Sequence, residues 1–211
     1  AQAMALSLSD LTQQDTATAM KEALTQGAQL AVSELGKPGG FSNNPDVRIE
    51  LPGKLGSAAR TLKMMGMGNQ IIALETSMNQ AAEAAVPQAQ SILVNAISRM
   101  SLTDAKSVLT GGNDSATQYL ERSSREEIRA LFLPVVKQAT DQVGVAQQYN
   151  AFASQAAGFG VVDANATSVE TYVTEKALDG LFEMIAQQEA TIRSNPAAAA
   201  TSMARKVFGA L

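Results

Sequence analysis

The chain has 211 residues, a net charge of −4, 4% aromatic residues, no tryptophan, and neither histidine nor cysteine. That composition removes thiolate and imidazole nucleophiles, the usual general base near neutral pH, and every nitrogen and sulfur ligand of zinc and iron–sulfur sites except methionine thioethers. It also lacks the clustered basic face that nucleic acid needs, and no stretch reaches the ~20 apolar residues of a membrane span.

The length suits a core that needs no disulfide or metal staple. The opening Ala1-Gln2-Ala3 fits what signal-peptide cleavage leaves behind, or an arbitrary chain boundary. Residues 1–11 are expected to be a flexible N-terminal segment, and 12–211 a single helical domain. Thr12 with Asp15 forms a capping box. Ala17, Met20, Leu24, Ala28, Ala31 and Leu35 then recur at helical spacing, a small-residue stripe that lets a neighbour approach closely. Gly36 and Pro38 end this helix. Val47, Ile49 and Leu51 alternate with Asp46, Arg48 and Glu50, a strand pattern. The backbone of a lone strand needs partners, so 46–51 is expected to be an extended, strand-like arm on a helical body, with Gly158–Val162 as a weak partner.

Helices are expected at about 53–65, 69–85 and 87–100. Ser101 and Asp104 box the start of a short helix that ends at Gly111-Gly112. Asp114 is read as the N-cap of a further short helix to Arg122. Ser124 and Glu127 are read as a new capping box opening a helix to Val143, with Pro134 inside it. Val145–Ala157 follows. Thr167 and Glu170 cap a long helix to about Arg193, with Val173, Ala177, Leu178, Leu181, Phe182, Met184, Ile185 and Ile192 on its apolar face. Pro196 is placed at N1 of a terminal helix. The fold class is all-α: one compact multi-helix domain of about nine to ten helices plus the arm.

Several blocks together resemble a known family. They are Met78–Pro87, Met100 with Leu102–Ala105 and Leu109–Tyr119, Tyr172–Phe182, and Lys206–Gly209. The chain resembles an exported bacterial family of unknown function, the DUF4197 type, over nearly its whole length. The resemblance implies an exported, helical, Gram-negative protein with a periplasmic location. It implies no activity and no catalytic residue.

Each polar cluster has a plain structural reading. Gly111–Asp114 could bind an anion at a helix start, but Asp114 stands where the anion would and no phosphate-loop lysine follows. Calcium would need more oxygens than Asn113, Asp114 and Asp104 supply. Lys176, Asp179 and Glu183 share a helix face and read as a solvated surface. The competing reading packs this face against Asp114–Tyr119 as a polar internal network. Met64, Met65 and Met67 could suit Cu(I), but read as core filler. Tyr119, Tyr149 and Tyr172 bury their rings and bond at the tip, and a cavity on which they converged would be the default ligand site. The candidate ligand-binding set is therefore Asp114, Thr117, Tyr119, Tyr149, Tyr172, Lys176, Asp179 and Glu183, with no metal and no cofactor.

The function expected is non-catalytic binding in the cell envelope. The ligand would be an apolar small molecule held between helices, or a protein partner met through the arm by β-augmentation. The rivals are a carboxylate-dependent hydrolase using Asp104, Asp114, Asp179 or Glu183, and a purely structural envelope component.

Overall fold

A computed structural model describes residues 13–51, 60, 64, 66, 68–142, 149, 168–196, 199 and 201–210. The described elements are α1 (Gln13–Gly36), α2 (Gly68–Ala85), a 3-10 turn (Val86–Ala89), α3 (Gln90–Ser98), α4 (Leu102–Leu109), α5 (Ser115–Gln142), α6 (Val169–Ser194) and α7 (Ser202–Phe208). No strand occurs among the described residues, so the class is all-α. Apart from residues 60, 64 and 149, the helices expected at 53–65 and 145–157 lie outside the described residues, as do the caps at Thr12 and Thr167 and the partner segment 158–162.

The chain divides into two compact units. The first comprises Ala1–Ser33, Gln90–Glu126 and Phe182–Leu211. Its core joins Met20, Leu24, Leu93, Ile97, Leu109, Leu120, Ile185, Ile192, Val207 and Phe208, all buried. The stripe residues of α1 are all buried, and Gly27 lies beside them. A side-chain carbon on Gly27 would lie 3.3 Å from Cβ of Gln188 in α6, tighter than an ordinary contact, so the two helices approach closely at a glycine.

The second unit comprises Glu34–Ala89 and Glu127–Leu181. Here Gly180 of α6 is a socket: an added Cβ would stand 2.8 Å from the Phe41 ring and 3.2 Å from Val47. Phe41 is fully buried there. Gly39, at φ +82°, turns the chain out of α1 towards this socket.

Two expectations fail for physical reasons. The described residues form fewer helices than the nine to ten expected, in part because the segments at 114–122 and 124–143 are the single helix α5. Ser124 does not cap. Its hydroxyl, fully buried, donates to the Leu120 carbonyl one turn back, as Ser123 does to Tyr119. A serine bonded this way sits inside a helix rather than starting one. The terminal helix likewise begins later than Pro196. Thr201 is its N-cap, accepting from the Ala204 amide at 3.1 Å.

The arm is not a strand. Val47 and Arg48 donate to the Asn44 carbonyl, so its start is a turn. The alternation is nevertheless real: Val47, Ile49 and Leu51 are buried while Asp46, Arg48 and Glu50 are exposed. Side chains do the pairing that a neighbouring strand would do. The Asn79 carboxamide of α2 accepts from the Ile49 amide at 2.8 Å and donates to the Ile49 carbonyl at 2.9 Å. It also donates to Glu75 at 2.7 Å. One turn on, the buried Glu83 carboxylate accepts from the amides of Phe41 at 3.1 Å and Ser42 at 3.4 Å. The Tyr172 hydroxyl donates to the Glu50 carbonyl. An extended segment can therefore lie on helices with its inward polar groups satisfied.

Replacing Asn79 by alanine strands both polar groups of Ile49 in the interior. The expected cost is about 2–4 kcal/mol in urea unfolding, from a desolvated donor and acceptor left unpaired. A loss under about 0.5 kcal/mol, the range of an ordinary surface change, would contradict this role.

Candidate binding groove and its buried support

The site is built from the sequence 101–123. Ser101 is the N-cap of α4, with extended backbone (φ −73°, ψ 164°). Its hydroxyl accepts from the Asp104 amide at 3.0 Å, and Asp104 Oδ2 accepts from the Ser101 amide at 3.3 Å, the reciprocal box expected. Hydrogen bonding to the Ser101 side chain, and then to its amide, holds the Asp104 carboxyl below the usual carboxylate range. Thr110 closes α4 and the chain reverses through Gly111-Gly112. A Cβ on Gly111 would lie 2.8 Å from that of Ser115, so the reversal is too tight for a larger residue. α5 then starts and aims Tyr119, Arg122 and Ser123 back over α4.

Between them lies a groove of about 520 Å³ lined by Asp104, Ser107, Ser115, Gln118, Tyr119 and Arg122, among others. The Tyr119 hydroxyl donates to Asp104 Oδ2 at 3.4 Å. Partial burial, and then the adjacent Asp104 charge, raise the tyrosine above its ordinary range, while Arg122 pulls it the other way.

Beneath the groove is an ion pair that sequence reading passed over. Glu189 and Arg193, one turn apart on α6, lie 2.8 Å apart with side chains 5% and 9% exposed. Glu189 accepts from the amides of Ala116 at 3.1 Å and Thr117 at 2.8 Å, and from the Thr117 hydroxyl at 2.7 Å. Arg193 donates to the carbonyls of Val108 at 2.8 Å and Leu109 at 2.9 Å, and to the Ser115 hydroxyl at 3.1 Å. Its guanidinium also stacks 5.7 Å from the Phe208 ring centre. One i, i+4 pair thus closes two helix ends. The anion meets the amides that α5 leaves open at its start, and the cation meets the carbonyls that α4 leaves open at its end. Opposite helix-end charges and opposite side-chain charges match.

The candidate residues fall in several places. Thr117 is inside this buried network and unavailable to a ligand from outside. Asp114 is exposed and its carboxylate accepts from the Gln118 side-chain carboxamide at 3.1 Å; the cap function expected of it is carried by Glu189. Tyr119 lines the groove. Tyr149 and Tyr172 belong to the other unit, stacked with ring centres 6.2 Å apart at 15°. Burial pushes the Tyr149 hydroxyl upward and that of Tyr172 up to about 12, the latter also opposed by the charges of Glu50 and Glu75. Lys176 lies 5.8 Å from the Tyr172 ring centre. Lys176, Asp179 and Glu183 are exposed, so their face is the solvated surface expected. The polar internal network exists, but one turn and more further along α6, at Glu189 and Arg193.

A sequence signal for that pair was present: Glu189 falls between Ile185 and Ile192 on the apolar stripe, where a charge is expected only with partners. Met64 corrects another reading. It is 88% exposed and fills no core; Met65 and Met67 lie outside the described residues. No cluster of three or more potential acidic metal ligands occurs among the described residues.

Glu189→Gln keeps the shape but leaves Arg193 without its anion. Breaking a buried pair from one side costs about 3–5 kcal/mol, so chemical unfolding should show a loss near the low end, because the glutamine oxygen still accepts one amide. An unchanged midpoint would show that the pair does not hold these helix ends.

Residues 10–209 match the family model described as a protein of unknown function (DUF4197). No curated protein and no solved structure matches the chain significantly. A match over nearly the full length places the chain in the DUF4197 family.

Proposed function

We propose that this chain is a non-catalytic binding protein that takes a small polar ligand in the groove over α4 and α5, and that it works in the periplasm. The groove carries the reading. Its volume of about 520 Å³ falls in the range of small-molecule sites, about 300–1,000 Å³. It presents a carboxylate, a phenol, a carboxamide, a guanidinium and hydroxyls on two helices whose ends are fixed from below by Glu189 and Arg193. Fixed elements with converging polar groups favour binding with little ordering cost.

An apolar ligand between helices is less well supported. The enclosed apolar cavity lined by Met20, Leu24, Ile185, Ile192 and Phe208 holds only about 10 Å³, the space of roughly one water. Capture of a partner strand by the arm is also disfavoured, because Asn44, Asn79, Glu83 and Tyr172 already occupy main-chain groups of Phe41, Ser42 and Val47–Glu50. The periplasmic location is supported by the family resemblance alone.

Native mass spectrometry of the protein isolated from a periplasmic extract of its host tests the proposal. The wild-type protein should carry a bound small-molecule mass that Tyr119→Ala, checked for folding by circular dichroism, has lost. A wild-type spectrum without an adduct, an adduct that persists in the variant, or recovery of the protein only from the cytoplasmic fraction would each contradict the corresponding part.

A further inference from the structure

We infer that the α4–α5 groove recognises a small soluble zwitterion, its amine directed to Asp104 and its acid group to Arg122. This rests on the binding reading above and specifies its ligand class. The Ser101 amide and the Tyr119 hydroxyl both donate to Oδ2 of the Asp104 carboxylate, and the Ser101 side chain is a further partner. The carboxylate is half-buried, lines the groove and enters no ion pair among the described residues. Arg122 lines the same groove, is exposed, and enters no ion pair among the described residues.

An anion and a cation therefore face one cavity without neutralising each other. Neither charge of the groove is taken up in an ion pair among the described residues, in contrast to Glu121 with Arg125, Glu175 with Arg129, and Glu189 with Arg193. A ligand with only a negative group would meet Asp104 as well as Arg122, and one with only a positive group the reverse. A molecule bearing both charges, spaced to span from one helix to the other, is the class that uses each and opposes neither. Gln118, Ser107, Ser123 and the Tyr119 ring supply neutral hydrogen bonds and an apolar wall for the linker between the charges.

Calorimetric titration of the full chain with ω-amino acids of increasing length, from glycine through γ-aminobutyrate to aminohexanoate, tests this directly. One chain length should bind best. Its N-acetyl form and its amide should each bind about tenfold or more weakly, the worth of one charge-assisted hydrogen bond. Asp104→Asn should abolish the difference between the free amine and the N-acetyl form. Arg122→Gln should abolish the difference between the acid and the amide. Asparagine keeps an oxygen for the Ser101 amide, and exposed Arg122 takes part in no cap, so at least one variant remains folded for the comparison. Equal binding of the singly charged analogues overturns the inference. So does sedimentation with phosphatidylethanolamine vesicles without response to any soluble probe. A native adduct of the wild-type protein, with no ω-amino acid bound, overturns the zwitterion while leaving the binding reading in place; no adduct and no titration signal removes both.

Discussion

A main-chain amide taken out of water must find an acceptor, and in this protein helix side chains are the acceptors where regular structure supplies none. Glu189 does this for the start of α5, Glu83 for the turn at Phe41 and Ser42, and Asn79 for the arm at Ile49. Each stands on a helix beside apolar residues, with exposure of 8% or less. Burying such groups is costly unless every lone pair and proton is engaged. Glu189 meets that condition through two amides, a hydroxyl and Arg193, and Arg193 through two carbonyls, a hydroxyl and the Phe208 ring.

The consequence for the candidate site is direct. α4 is only eight residues long, too short to hold its shape in water by itself. It is held by the Ser101–Asp104 box at one end and by Arg193 at the other. The groove charges are thus carried on elements whose ends are anchored, chiefly from below by the buried Glu189–Arg193 pair. Asp104 joins the two roles: its carboxylate closes the cap of α4 and also lines the groove.

The legible part of the fold was its periodicity. Buried faces of α1 and α6, the box at Ser101, the reversal at Gly111-Gly112 and the in–out alternation of 46–51 all follow from local chemistry. What was not legible depended on partners distant in sequence. Alternation says which side chains turn inward, but not that a carboxamide 30 residues away replaces the neighbouring strand. Ser124 and Asp114 have the residue types of caps, and nothing local says that one bonds backwards into its own helix or that a carboxylate more than 70 residues away caps the other's helix. Of the site, Tyr119 and Thr117 were picked out from the sequence, but their roles differ: one faces the groove and the other the buried pair. The general signal is a polar residue inside an apolar stripe, as at Glu189, Asn79 and Glu83.

Native-state amide hydrogen exchange at Phe41, Ile49, Ala116 and Thr117 tests this central claim most directly, because these amides have side-chain acceptors and no helix or strand partner. The account predicts slow exchange at all four, comparable with interior helical amides and released only by opening of the surrounding structure. Exchange at the rate of unprotected loop amides would contradict it, since the side chains would then not be the partners that hold these segments in place.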